Sequence, residues 1–237
     1  MRIPGPRTRF LVAVVSVVLV TAPESVAETA PRTFRDCPQC PEMVAIPSGS
    51  FVMGSPPTER GRSEHEQPRQ EITFSTPFAI GQFEVTFDEW DACVADGGCA
   101  SYVPRDKGWG RANRPVINVT WGQARRYTSW LQAKTVRPYR LPTEAEWEFA
   151  ATAGAEGEGA KRACPWGETE PDSTRANLDG RALGGIDVAA RAAGDSVHGL
   201  RQMIGNGWEW TATTFGPYPG FSPDDYNEYS EPLFNDT

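Results

Sequence analysis

The chain has 237 residues, with 31 acidic against 23 basic side chains and a formal net charge of −8. With no basic stripe to release counterions from a phosphate backbone, this balance argues against nucleic acid as a partner. The length suits one domain with its own core, and the even spread of Trp and Pro gives no break into two.

The first residues carry Arg2, Arg7 and Arg9, then an apolar run from Phe10 to Val20, then small residues ending Ser25-Val26-Ala27. This three-part pattern predicts a secretory leader over residues 1–27, cleaved after Ala27. The run is too short to span a bilayer comfortably, and no later segment is long enough, so an exported, non-spanning protein is expected. The leader holds three Arg against one Glu, so its removal leaves the mature chain two charges more acidic. Residues 28–42 form a Cys- and Pro-rich segment containing C-P-Q-C at Cys37 and Cys40. That spacing suits a redox pair or half a zinc site, but no second C-x-x-C completes a tetrahedral site. A bridge within the segment is the plainer expectation.

From residue 43 to 237 the sequence reads as a single domain. Met43 to Met53 places a Pro-Ser-Gly turn between apolar runs and predicts a β-hairpin. Ser55 to Gln70 is charged and rich in Pro, Gly and Arg, a surface loop on which His65 reads as solvated rather than metal-binding. Strand character resumes over Glu71 to Val85, with Phe78, Ile80 and Phe83 as its apolar positions. Three helices follow, each announced by a capping box: Thr86 with Glu89, Thr120 with Gln123, and Thr143 with Glu146. Their inward faces are expected at Trp90, Cys93 and Val94, at Ala124, Tyr127 and Leu131, and at Trp147, Ala150 and Ala151. Cys93 and Cys99 flank a Gly-rich turn in C-V-A-D-G-G-C and are expected to form a local disulfide. Cys164 is left over, either buried or free. Short helices, few strands and long Gly- and Pro-rich connections predict a loop-heavy α+β domain.

Gly154 to Ser196 is mostly small and polar, and loops of that length are usually functional or pinned. Asn177, Asp179 and Asp187 offer oxygens of the kind calcium uses, although such residues are commonly turn formers. In G-N-G-W-E-W, Gly205 to Trp210, two Trp at i and i+2 can face one side of an extended strand with Glu209 pointing the other way. A Glu beside buried rings then needs calcium, an Arg or backbone amides as partner.

Read together, M-V-A-I-P-S-G-S-F-V-M-G-S, F-E-V-T at Phe83 to Thr86, Pro115 to Ala151 ending R-L-P-T-E-A-E-W-E-F-A-A, the W-G pair at Trp166, A-N at Ala176, and G-L-R-Q-M-I-G-N-G-W-E-W resemble the formylglycine-generating enzyme, or sulfatase-modifying factor, family. The resemblance covers nearly all of the chain after the leader. It implies that family's irregular, loop-rich α+β fold, related to C-type lectins, with short helices packed on small antiparallel sheets. It also implies a protein or peptide substrate.

Family members that oxidise a substrate cysteine to formylglycine use a copper-bound cysteine pair after an R-G-G-S-type strand and close with a G-F-R strand. This sequence reaches Thr237 with neither, and no Cys follows Trp210. The expectation is a C-terminally incomplete member without the copper ligands, an oxidoreductase fragment or a non-catalytic exported binding or accessory domain. Cys37 and Cys40 precede the domain and do not match the pair. For calcium, the resemblance implies Asn177 by side chain and Leu178 by carbonyl at one site, and Gly205 and Gly207 by carbonyl with Glu209 by carboxylate at another. Gln202 stands where that second site usually has Asn or Asp. The stretch from Gly199 through P-Y-P-G-F to Y-S-E-P also resembles the corresponding domain of ergothioneine-type sulfoxide synthases, which carry an iron-binding histidine domain ahead of it. His65 and His198 are the only histidines in the sequence, too few for an iron triad, so that activity would need a separate iron-binding partner.

Overall fold

The computed structural model describes residues 33–59, 61–153, 161–178, 180 and 182–222. The predicted leader, Asp179 and the Y-S-E-P stretch lie outside the described residues. Two small antiparallel sheets carry the strands. One is built from β1 (Thr33–Phe34), β2 (Met43–Ile46) and β5 (Phe78–Gly81), in the order β1-β2-β5. The other pairs β3 (Gly49–Met53) with β4 (Gln70–Phe74).

The predicted hairpin across Met43 to Met53 is not formed. β2 pairs with β5 in the register Met43↔Gly81, whereas β3 pairs with β4 in the register Gly49↔Phe74. The linker explains why. A two-residue hairpin turn needs positive φ at its first central residue, and the Pro47 ring holds φ at about −65°. The chain therefore crosses from one sheet to the other, burying Val44 and Ile46 from β2 and Phe51 and Met53 from β3. Similarly, the predicted strand over Glu71 to Val85 is divided, with Ser75, Thr76 and Pro77 separating β4 from β5.

The three helices are α1 (Phe87–Ala95), α2 (Trp121–Thr135) and α3 (Glu144–Thr152), and all three predicted capping boxes are closed. At α3 the Thr143 hydroxyl accepts from the Glu146 amide at 3.1 Å, while the Glu146 carboxylate accepts from the Thr143 amide at 2.8 Å. A fourth box, Ser63 with Glu66, starts a short 3-10 turn inside the predicted surface loop. The buried faces depart from expectation by one neighbour each. α1 buries Phe87, Trp90 and Cys93 with Val94 half-buried; α2 buries Tyr127, Trp130 and Leu131; α3 buries Phe149, Ala150 and Ala151 with Trp147 half-buried.

Two hydrophobic clusters result. In the first, Phe149 sits among Phe51, Phe74 and Phe78 with ring centroids 5.4, 4.9 and 6.3 Å away. The second stacks Trp90 on Tyr127 at 5.8 Å and includes Trp130, Leu131, Cys40, Cys93 and Cys99. The expected Cys93–Cys99 and Cys37–Cys40 disulfides are both present, and Cys164 is buried and unbridged. No described helix is long and apolar enough to cross a membrane.

Candidate functional site

Between the β1-β2-β5 sheet and α2 lies a cavity of about 1540 Å³, bordered by Met43 and Ala45 on one side, Tyr127 and Leu131 on the other, and Trp109 and Trp210 among its rim residues. Part of its wall comes from Arg201 to Trp210, the end of a run of loops from residue 177 that has almost no regular structure. Side chains rather than ladders hold that wall.

The central tie is Asn206. Its Oδ1 accepts from the Ile186 amide at 2.8 Å and from Asn177 Nδ2 at 3.1 Å, while its Nδ2 donates to Glu84 Oε2 at 2.6 Å. Its own amide donates to the Asn177 carbonyl at 3.0 Å, beside an Asn177↔Gly205 bridge. Gly205 is required at that contact, since it has φ +86° and a Cβ there would lie 2.5 Å from the Asn177 carbonyl oxygen. The positive φ of Gly205 and of Asn206, +60°, breaks the strand expected over Gly205 to Trp210. Period-two alternation is lost with it. Trp208 is fully exposed and Trp210 is 49% exposed, its indole donating to the Val119 carbonyl at 3.0 Å, so the expected pair of buried rings does not exist.

Glu84 and Glu209 meet at this wall. Glu84 is buried, its Oε1 has no hydrogen-bond partner, and a Cβ on Gly207 would lie 3.1 Å from that oxygen. Burial first, and the Glu209 charge second, push its carboxyl up to about 8, opposed by the Asn206 hydrogen bond. Burial likewise raises Glu209, to about 7, opposed by the Trp147 indole. Glu209 borders the cavity and its residue surface is open to water there, although protein surrounds the carboxylate, so solvent moderates the shift without changing its direction. The indole nitrogen of Trp147 lies near enough to favour the Glu209 anion yet makes no hydrogen bond of ordinary geometry.

The predicted calcium oxygens divide between two places. Asn177, Leu178 and Gly205 lie side by side: the Leu178 side chain would be 3.1 Å from a Gly205 Cβ. Asn177 uses its Nδ2 on the Gly184 carbonyl at 2.9 Å and on Asn206, and the Gly205 carbonyl accepts from the Gly207 amide at 2.7 Å. Gln202 is buried, with Nε2 donating to the Asp187 carbonyl at 2.9 Å and Oε1 unpartnered. Unpartnered buried oxygens thus remain on Gln202 and, separately, on Glu84, whose neighbour is Glu209, and oxygens of this kind are what a hard cation takes. Asp187 is a turn former, accepting from the Ala189 amide at 2.8 Å. Among the described residues, no three His, Cys, Asp or Glu side chains converge as a metal site.

Two residues of the candidate site escaped the sequence reading. Glu84 lay inside a predicted strand, and Asn206 was given no role between its two glycines. The pairing that gives each its role spans a separation of 122 residues.

Comparison with known proteins identifies the family of the chain. Residues 28–231 match the sulfatase-modifying factor enzyme 1-like domain, and the chain belongs to that family. It is 34% identical over 226 residues to the hercynine oxygenase of Mycolicibacterium smegmatis, covering 82% of this chain and 50% of that protein. The inactive C-alpha-formylglycine-generating enzyme 2 of Mus musculus is 29% identical, covering 80% of this chain and 74% of that protein. Among solved structures, PvdO from Pseudomonas aeruginosa superposes with a TM-score of 0.66 at 30% identity, over 80% of this chain and 77% of that one. The chain spans about half the length of the hercynine oxygenases it matches.

Proposed function

We propose that this chain is an exported sulfatase-modifying-factor-type domain that holds a protein or peptide substrate in the cavity beside Glu84, and that by itself it binds substrate without oxidising the substrate's cysteine. The disposition of sulfur carries this reading. Cys37, Cys40, Cys93 and Cys99 are consumed in two disulfides, Cys164 is buried, and no cysteine borders the cavity among the described residues. Copper in active members would need soft thiolate ligands at the substrate, and none of these sulfurs is placed to serve. The test is to incubate the chain with copper, oxygen and a sulfatase-type cysteine peptide and to follow the peptide mass. No conversion above a metal-only control is expected, together with saturable quenching of tryptophan fluorescence by the peptide. Turnover, or failure of that peptide to bind, counts against the reading.

Calcium belongs to the same proposal as a structural cation. Glu209 with the carbonyls of Gly205 and Gly207 would hold one ion, and Asn177 with the Leu178 carbonyl another, stiffening a wall that has almost no regular structure.

A second reading is a sulfoxide-synthase-like domain that works with a separate iron-binding partner. The half-length match to the hercynine oxygenases favours it. Neither histidine contributes a ready ligand pair: His65 is on the 3-10 turn, and His198 packs on Phe149 at 6.3 Å with its pKa lowered by burial and by Arg162. Copurification of a histidine-rich iron protein with this chain would raise that reading above the first.

A further inference from the structure

Residues 35–42 join β1 to β2, and within them Cys37 and Cys40 are bridged, with their Cα atoms 5.0 Å apart. The Cys40 amide donates to the Cys37 carbonyl at 3.0 Å, which closes a turn with Pro38 at its second position. A Pro there presets φ for such a turn, so the backbone keeps the two sulfurs neighbours whether or not they are joined. The far end of the turn is tied down. Arg35 donates to the Cys40 carbonyl and reaches Glu42 at 3.4 Å and Glu89, on α1, at 3.9 Å, while the Gln82 amide donates to the Glu42 carbonyl at 2.8 Å.

The two bridges of the protein differ in access. Cys93 and Cys99 are both buried, and Trp130 closes over their loop so tightly that a Cβ on Gly98 would lie 2.4 Å from its ring. Cys40 is wholly buried as well, among the residues of the same hydrophobic cluster. Cys37 is only half-buried, and Arg35, Asp36, Pro38 and Gln39 around it are exposed. Cys37 is therefore the sulfur that a thiolate from solvent reaches. Exposed bridges are the exchangeable ones, and a bridge across so short a loop gains little from chain closure.

We propose that Cys37–Cys40 is a disulfide-exchange site that oxidises the paired cysteine thiols of a partner protein. A client thiolate attacks Cys37 Sγ, the S–S bond breaks, and Cys40 leaves as a thiolate that takes up a proton. The client's second thiolate then attacks the client sulfur of the mixed disulfide and releases Cys37. Two electrons and two protons pass from the client to the chain, which ends with both thiols free, and a further round needs an external small disulfide to restore the bridge. The exchange uses neither the cavity nor copper, so it goes beyond the binding role above and stands or falls apart from it.

The test incubates the oxidised protein, without oxygen, with an excess of the capped dithiol peptide G-C-G-G-C-G. The reaction is quenched in acid, the chain is unfolded and alkylated, and the labels are mapped by mass. Up to one peptide disulfide per chain is expected, with new labels on Cys37 and Cys40 beside the Cys164 label that appears without peptide, and with the Cys93–Cys99 bridge intact. Cys37→Ser and Cys40→Ser remove the same bridge, so any loss of stability is common to both. Offered the oxidised peptide, Cys40→Ser should form a mixed disulfide at Cys37 about a hundredfold faster than Cys37→Ser does at the buried Cys40. A peptide left reduced, opening of Cys93–Cys99 as fast as that of Cys37–Cys40, or equal rates for the two variants overturns the proposal. The map of the unsubstituted chain decides the matter even if neither variant folds.

Discussion

The α1–α2 side of the domain and the wall from Asn177 to Trp210 are ordered by different forces. On the helical side each element is specified within a few residues: a Thr caps, a Glu or Gln three positions later answers it, and an aromatic stack sealed by disulfides takes up the buried face. On the wall almost nothing is regular, and one side chain, Asn206, joins residues 84, 177 and 186. A failure on the helical side removes one increment among several. A failure at Asn206 releases three segments together.

The comparison breaks first, and most severely, where α3 meets both sheets. Phe149→Ala deletes a ring in contact with Phe51, Phe74 and Phe78 and should cost roughly 3–5 kcal/mol in urea unfolding. A loss below that range would mean that packing does not dominate even there.

Calcium sharpens the contrast from the side of the wall. Saturation at a hundredfold excess over the dissociation constant should stabilise the domain by about 2.7 kcal/mol. The melting temperature should rise accordingly, and Glu209→Ala should abolish most of the rise. Identical melting curves with calcium and with chelator, at matched ionic strength, would assign the wall to protein hydrogen bonds alone.

Asn206→Ala leaves the Ile186 amide, Glu84 and Asn177 without their partner at once. A cost of about 2 kcal/mol is expected, with faster amide exchange confined to the loops around residues 177 and 186. If exchange rises uniformly across the helices instead, the wall is not a separate unit.

The smallest effect is local to a helix start. Thr143→Ala should cost about 1 kcal/mol by thermal melting. The same box has a pH signature, because the Arg140 hydrogen bond, opposed by burial and joined by the Thr143 amide, holds the Glu146 carboxyl below its ordinary value of 4.5. A depressed carboxyl stabilises the fold above its unfolded value and loses that contribution as pH falls through the folded one. Glu84 has the opposite sign: its stabilisation is present below the ordinary carboxylate value and is lost as pH rises towards about 8. Arg140→Gln should therefore narrow its deficit in acid, and Glu84→Gln with chelator present should flatten the loss of stability on the alkaline side.

What the sequence determined by itself was whatever closes over a few residues. The boxes at Thr86, Thr120 and Thr143 and the Cys93–Cys99 and Cys37–Cys40 bridges were legible because both partners lie within one turn or one short loop, where local geometry decides. The family motifs added the fold class, since several agree in order along the chain. The φ restriction at Pro47 was legible too, but its result was not: that β2 and β3 enter different sheets depends on β4 and β5, which arrive later in the chain. The same holds for the site. Glu84 becomes an acid with a raised pKa only when the fold buries it and brings Glu209, 125 positions downstream, beside it, against the opposing hydrogen bond from Asn206. Desolvation and long-range contact are properties of the assembled interior, and no window of sequence contains them.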